Sequence, residues 1–153
     1  MFEEGQQVPA FNMPTDTLGD VSDKSLKGSP YVIYFYPKDD TPGCTKEAIG
    51  FSRLMAEFTA LGVKIIGVSK DPISKHEKFR AKHDLSVILA SDEEGVACDA
   101  FGVWVEKNMY GRKYMGIERA TFLVDGSGSV CKIWRKVRLK GHVDAVLEAA
   151  NTL

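Results

Sequence analysis

Residues 31–58 read YVIYFYPKDDTPGCTKEAIGFSRLMAEF. The opening run, 31–36, is apolar and aromatic and is closed by Pro37. Its length and composition predict a buried strand. The chain then turns before the next element. Beyond Pro42, Ala48, Phe51, Met55 and Phe58 recur at spacings of three and four, which predicts a helix entered through Pro42 and ended by Gly62. Strand, turn and helix in that order form the first half of a β-α-β unit.

The rest of the chain extends this unit. Short apolar runs at 63–69, 87–90 and 120–124 read as further strands, bounded by Gly, Pro, Asp or Ser. A run at 130–137 follows the turn Asp125-Gly126-Ser127-Gly128, which makes it the hairpin partner of 120–124. Its alternation places Cys131, Ile133 and Val137 on a core-facing side and Lys132, Trp134 and Lys136 on the other. Helical patterns cover 71–83, 94–101 and 143–150. The order βαβαβαββα, after an N-terminal extension, implies an α/β fold with a mixed central sheet and helices on both faces. It is the element order of a thioredoxin-like fold with insertions.

Composition bounds the function. The 153 residues suit one domain, 1–153, with 44% hydrophobic and 27% charged residues. The net charge of -1 excludes a global polyanion binder. No stretch approaches the ~20 apolar residues of a membrane helix. The start, MFEEGQQVPAFNM, has acids where a signal peptide needs bases, so a cytoplasmic location is expected. Cys44, Cys98 and Cys131 cannot make a disulfide framework and read as thiols in a reducing compartment. From Lys107 to Lys140, nine basic residues face two acidic ones. A solvated basic face is preferred there over a nucleic-acid surface. No cofactor and no metal are expected.

Cys44 falls in the first turn of the helix after Pro42, at the carboxyl end of a core strand, where open α/β sheets place their sites. Unpaired N–H groups and the positive helix end stabilise a thiolate there, and the thiolate is the reactive form. Thiol–disulfide exchange needs a second Cys three residues on, but that residue is Glu47. A phosphatase loop needs Arg six residues on, where Gly50 stands. His76, His83 and His142 lie in no motif that would pair one with the thiol, and each reads as structural. A lone activated Cys with the Thr41 hydroxyl three residues before it suits attack on a peroxide, giving a sulfenic acid.

Pro37, Thr41 and Cys44 match P-x-x-x-T-x-x-C, and the segment resembles the active-site segment of the peroxiredoxins. PKDDTPGCTKE and the later EKNMYGRKYMGIERATFLVD are most similar to the peroxiredoxin Q, or bacterioferritin comigratory protein, branch. The resemblance implies a thiol-dependent peroxidase acting on hydrogen peroxide and organic hydroperoxides. It makes Cys44 the peroxidatic nucleophile, Thr41 a ligand of the peroxide oxygens and Pro37 a shield against water. Arg119 stabilises the thiolate and the leaving oxygen, and Glu47 orients Arg119. The reductant would be thioredoxin, glutaredoxin or a small thiol.

The resolving cysteine is where this sequence departs from the branch. The position five after Cys44 is Ile49, and the other familiar segment, HEKFRAKHDL, holds no Cys. Cys98 and Cys131 both read as core residues, with Cys98 the possible resolving thiol. The reading is a one-cysteine enzyme with an external thiol reductant, a monomer rather than a dimer. The alternatives are an atypical two-cysteine enzyme resolving through Cys98, a redox sensor or chaperone, and a nucleic-acid binder using the basic region 107–140.

Overall fold

The computed structural model describes residues 3–153. β1 (Asn12–Pro14) pairs antiparallel with β2 (Asp20–Ser22). The short α1 (Asp23–Leu26) follows, closed at its start by a capping box between Ser22 and Ser25. β3 (Tyr31–Phe35) leads through a loop to α2 (Pro42–Arg53) and α3 (Met55–Ala60). Then come β4 (Lys64–Ser69), α4 (Ile73–His83), β5 (Ile88–Ser91) and α5 (Val96–Ala100). A hairpin of β6 (Trp104–Met109) and β7 (Arg112–Ile117) precedes β8 (Ala120–Val124), β9 (Val130–Trp134) and α6 (His142–Ala150).

The central sheet has the order β5-β4-β3-β8-β9. β3, β4 and β5 are parallel, and β8 and β9 run antiparallel to their neighbours. This is the mixed α/β sheet that the element order implies. β3 sits at its centre, and all five of its residues are buried, as a strand covered on both faces requires. Tyr31, Ile33 and Phe35 join one core cluster together with α1, α5 and the two hairpins. Val32 and Tyr34 join the other, together with α2, α3, α4 and α6. One glycine is imposed by close approach. Gly67 pairs with Tyr34, and a Cβ on Gly67 would lie 2.7 Å from the Tyr34 ring.

Several expectations need correction. The helix after Pro42 is two helices broken at Leu54, although Phe51 and Phe58 stay buried across the break. Gly62 does end it: at φ +72 it lets Val63 N–H reach the Phe58 carbonyl, the long bond of a Schellman motif. The β6–β7 hairpin lies outside the expected elements, because its strands are largely exposed and give little apolar alternation. Its two-residue turn, Tyr110-Gly111 with both φ positive, was the readable signal.

The strand expected at 130–137 stops at Trp134, and Cys131 is exposed rather than core-facing. The cause is a bulge. Val124 pairs with Val130 and Leu123 with Lys132, so Cys131 is the extra residue, without an opposite partner. Strict alternation therefore fails. Val130 and Ile133, three apart, both pack on the first cluster, while Trp134 packs on the second.

Candidate active site

Thr41 is the N-cap of α2, and Pro42, Gly43 and Cys44 form its first turn. The β3–β8 pairing sets Ala120 opposite Phe35, so Arg119, just before β8, stands beside the end of β3 where the site loop begins. This closes a sequence separation of 75 residues: Arg119 Nη2 donates to Cys44 Sγ at 3.3 Å. Arg119 Nη1 donates to Glu47 Oε1 at 2.6 Å. Cys44 and Glu47 lie three apart on one helix face, so the guanidinium spans both. Gly43 leaves room for it, since a Cβ there would sit 3.2 Å from Nη2.

Cys44 is only 2% exposed and packs with Tyr34, Tyr36, Ala48 and Phe51 in the second core cluster. Glu47 is buried, and its Oε2 has no hydrogen-bond partner among the described residues. Burial pushes the Glu47 carboxyl up to about 7, with the Arg119 guanidinium pulling the other way. For Arg119, burial opposes the charge, but Glu47 and Cys44 outweigh it and hold the guanidinium above its ordinary range.

Thr41 Oγ1 donates to the Lys38 carbonyl at 2.9 Å. That leaves its lone pairs free to accept. Pro37 is exposed at the head of the loop. The structure thus brings Cys44, Glu47 and Arg119 into direct contact, with Thr41 at the cap of the same helix and Pro37 at the other end of its loop. A groove of about 500 Å³ borders this helix, lined in part by Pro42, Lys46, Glu47, Ile49, Leu139 and Val143.

The other thiols stand apart. Cys98 is fully buried in the first core cluster, so the central sheet lies between it and Cys44. Burial, and then hydrogen bonding to Asp92, push its thiol well above the ordinary cysteine range. Cys131 sits at the sheet edge, where partial desolvation and the Asp125 charge also raise its thiol.

The histidines are engaged elsewhere. His142 Nε2 lies 2.8 Å from Thr121 Oγ1, and burial, then the Arg119 charge, lower its pKa to about 4. It is neutral at physiological pH. His83 meets Asp40 at the surface. His76 contacts Asp39, a loop residue that no motif singled out. Lys107 on β6 lies within the electrostatic field of Arg119 and Cys44, and burial, followed by Arg119, lowers its pKa. Two of the basic residues of 107–140 point into ion pairs, Arg119 with Glu47 and Arg135 with Glu118.

The AhpC/TSA family model matches residues 4–133. The chain belongs to the AhpC/TSA family. Among its relatives, the peroxiredoxin Bcp of Bacillus subtilis is 46% identical over 151 residues, covering 99% of this chain and 96% of its own. The peroxiredoxin Bcp of Xanthomonas campestris is 46% identical over 147 residues, covering 94% and 92%. Among solved structures, Xanthomonas campestris peroxiredoxin Q superposes with a TM-score of 0.88 at 44% identity, covering 93% of this chain and 90% of that one. One structure of that bacterium's bacterioferritin comigratory protein addresses its alkyl peroxide reduction activity. The chain is thus a peroxiredoxin of the Bcp, or peroxiredoxin Q, group, with the thioredoxin fold of its neighbours. Peroxiredoxins are thiol-dependent peroxidases, which fixes the reaction class: a peroxide is reduced at the expense of a thiol. No helix among the described residues is long and apolar enough to cross a membrane.

Proposed function

We propose that this peroxiredoxin, acting as one domain over 1–153, reduces hydrogen peroxide and organic hydroperoxides in the cytoplasm by a one-cysteine route through Cys44. The observation that carries the reading is the Arg119 guanidinium, which donates at once to Cys44 Sγ and to buried Glu47.

The Cys44 thiolate attacks one peroxide oxygen. The O–O bond breaks, Cys44 becomes the sulfenic acid, and the departing alkoxide or hydroxide takes a proton to leave as alcohol or water. Arg119 is charged at any working pH and stabilises both the thiolate and the charge moving onto the leaving oxygen. Glu47 holds Arg119 in that geometry. Thr41 accepts from the peroxide O–H, and Pro37, with the rest of the loop, limits access of water.

Resolution uses an external thiol. Two observations support this: Ile49 stands where a resolving cysteine would, and Cys98 belongs to the core cluster on the other face of the sheet. One reductant thiol displaces water from it to give a mixed disulfide. A second releases Cys44 and leaves as the oxidised reductant. Thioredoxin, glutaredoxin or a small thiol can supply both, and the enzyme acts as a monomer.

The test is peptide mapping under non-reducing conditions after one equivalent of peroxide, with dimedone present. The expected product is a dimedone adduct on Cys44. A Cys44–Cys98 disulfide in most molecules would overturn the one-cysteine route, and an adduct on Cys131 alone would overturn the site.

A further inference from the structure

The loop from Pro37 to Thr41 has a single buried residue, Asp39, which is 8% exposed. Its Oδ1 accepts from the Tyr36 hydroxyl at 2.5 Å. Its Oδ2 lies 2.6 Å from His76 Nδ1. Its N–H donates to Asp71 Oδ2 at 2.8 Å, and that oxygen also accepts from Ser69 Oγ at 2.7 Å. His76 is fully buried on α4, and its Nε2 lies 2.9 Å from the Ala90 carbonyl of β5. A carbonyl only accepts, so Nε2 carries a hydrogen. The 2.6 Å contact then needs one more proton between Nδ1 and the carboxyl group. Tyr36 donates to the other carboxylate oxygen, which favours the proton on the imidazole. An imidazolium therefore ties the site loop to α4 from inside the protein. From outside, Lys82 and His83 of the same helix hold Asp40 at 2.7 and 2.9 Å.

We propose that the buried His76–Asp39 ion pair is a latch that positions Thr41 and the first turn of α2 for reaction at Cys44, and that loss of the imidazolium proton loosens it. The proposal rests on the peroxidase reading of Cys44 and Thr41. His76 and Asp39 touch no reacting atom, so both are positioning residues.

The physical basis is the chemistry of Nδ1. Once deprotonated, it presents a lone pair to a carboxylate oxygen, and two buried acceptors facing each other are costly. The groups facing the latch include Asp39 from the loop, Tyr36 from the end of β3, Asp71 after β4, the Ala90 carbonyl of β5, and Lys75, Lys78 and Lys82 of α4, which line a cavity with Asp39. Lys75 on α4 lies 4.0 Å from Asp71. Burial by itself would lower the His76 pKa. The bond and charge of Asp39, the Ala90 carbonyl and the Asp71 charge outweigh it and raise the pKa from its ordinary value. Loss of that proton as pH rises through the raised value opens the latch. Geometry at a reacting centre is sensitive: a misplacement of about 1 Å can lower a rate on the order of 10²-fold.

The test uses the full chain and two substitutions. In wild type labelled with ¹⁵N-histidine, NMR should show His76 doubly protonated at neutral pH. It should convert to the Nε2–H tautomer as pH rises, and kcat/KM for peroxide should fall over the same range. Asp39→Asn lets the amide oxygen accept from Tyr36 and the amide N–H donate to a neutral Nδ1, so the link survives without charge and the alkaline fall should vanish. His76→Phe removes the link, and kcat/KM should drop on the order of 10²-fold. If that variant does not fold, the NMR titration and the Asp39→Asn profile decide. A neutral His76 in wild type at neutral pH, or an Asp39→Asn profile falling in parallel with wild type, would overturn the latch. Peroxidase activity persisting in Cys44→Ser would instead strike the underlying reading, which the NMR titration does not depend on.

Discussion

At the scale of single residues, the site depends on one cation shared between two groups. Arg119 is 16% exposed and Glu47 is fully buried, so the pair works where water screens it weakly. Arg119→Met should lower the peroxide rate on the order of 10²-fold or more, as removal of one preorganised transition-state donor does. It should also destabilise the fold, because Glu47 would be left buried with neither carboxylate oxygen bonded. Wild-type peroxide kinetics in that variant would show Arg119 to be only a strand-end charge. Cys44→Ser should abolish turnover, because a serine hydroxyl does not become a nucleophilic anion at neutral pH. Cys131→Ser should keep most of the activity, since Cys131 is a bulge residue at the sheet edge. Steady-state assays of both variants with a thiol donor check the pair, and equal losses would sink the assignment.

At the scale of elements, the strand before the site loop fits its neighbours through one small residue. Tyr34 on β3 stacks on Phe51 of α2, with ring centroids 4.7 Å apart, and its ring lies over Gly67 of β4. Gly67→Ala would put a methyl group 2.7 Å from that ring, which must then move against Phe51 and the floor of α2. Overpacking of this kind destabilises by about 1–3 kcal/mol. Urea unfolding should show a midpoint lowered accordingly, with the slope unchanged. An unchanged midpoint would mean that the Tyr34 ring has room to shift. The break at Leu54 belongs to this scale too. Periodicity across 48–58 is continuous in the sequence, and only the packing of α2 and α3 shows two helices.

At the scale of the whole molecule, the second core face carries a buried neutral histidine in its polar layer. His142 touches Thr121 and lies edge-on to Phe51 and Trp134. Its folded pKa of about 4 lies below the ordinary histidine value, so between the two values the unfolded chain binds more protons than the native state. The stabilisation is fully present above about pH 6.5 and is lost as pH falls toward about 4, by up to about 3 kcal/mol. His142→Gln keeps a hydrogen-bonding partner for Thr121 and cannot titrate. The difference in unfolding free energy between wild type and this variant, measured from neutral to acidic pH, should shrink as pH falls. A difference that stays constant would show that His142 charges without penalty.

The central strands, the helix entered at Pro42, the β8–β9 turn and the segment carrying Thr41 and Cys44 are all legible from residue order. All of these rest on local signals: unbroken apolar runs, spacings of three and four, and turn residues at fixed offsets. Arg119 was legible only through the resemblance of its segment, because a charge before an apolar strand is equally a solvated strand end. Its contact with Cys44 and Glu47 exists because β8 pairs with β3. Other features exist only once the elements pack. The bulge at Cys131 reversed an alternation that looked regular, since a one-residue insertion opposite Val124 leaves no trace in residue type. The separation of Cys44 from Cys98 follows from which face of the sheet α2 and α5 cover. The pairing of Asp39 with His76, 37 residues apart, depends on α4 packing under the loop, because an ion pair across such a distance is a property of packing and of no local pattern.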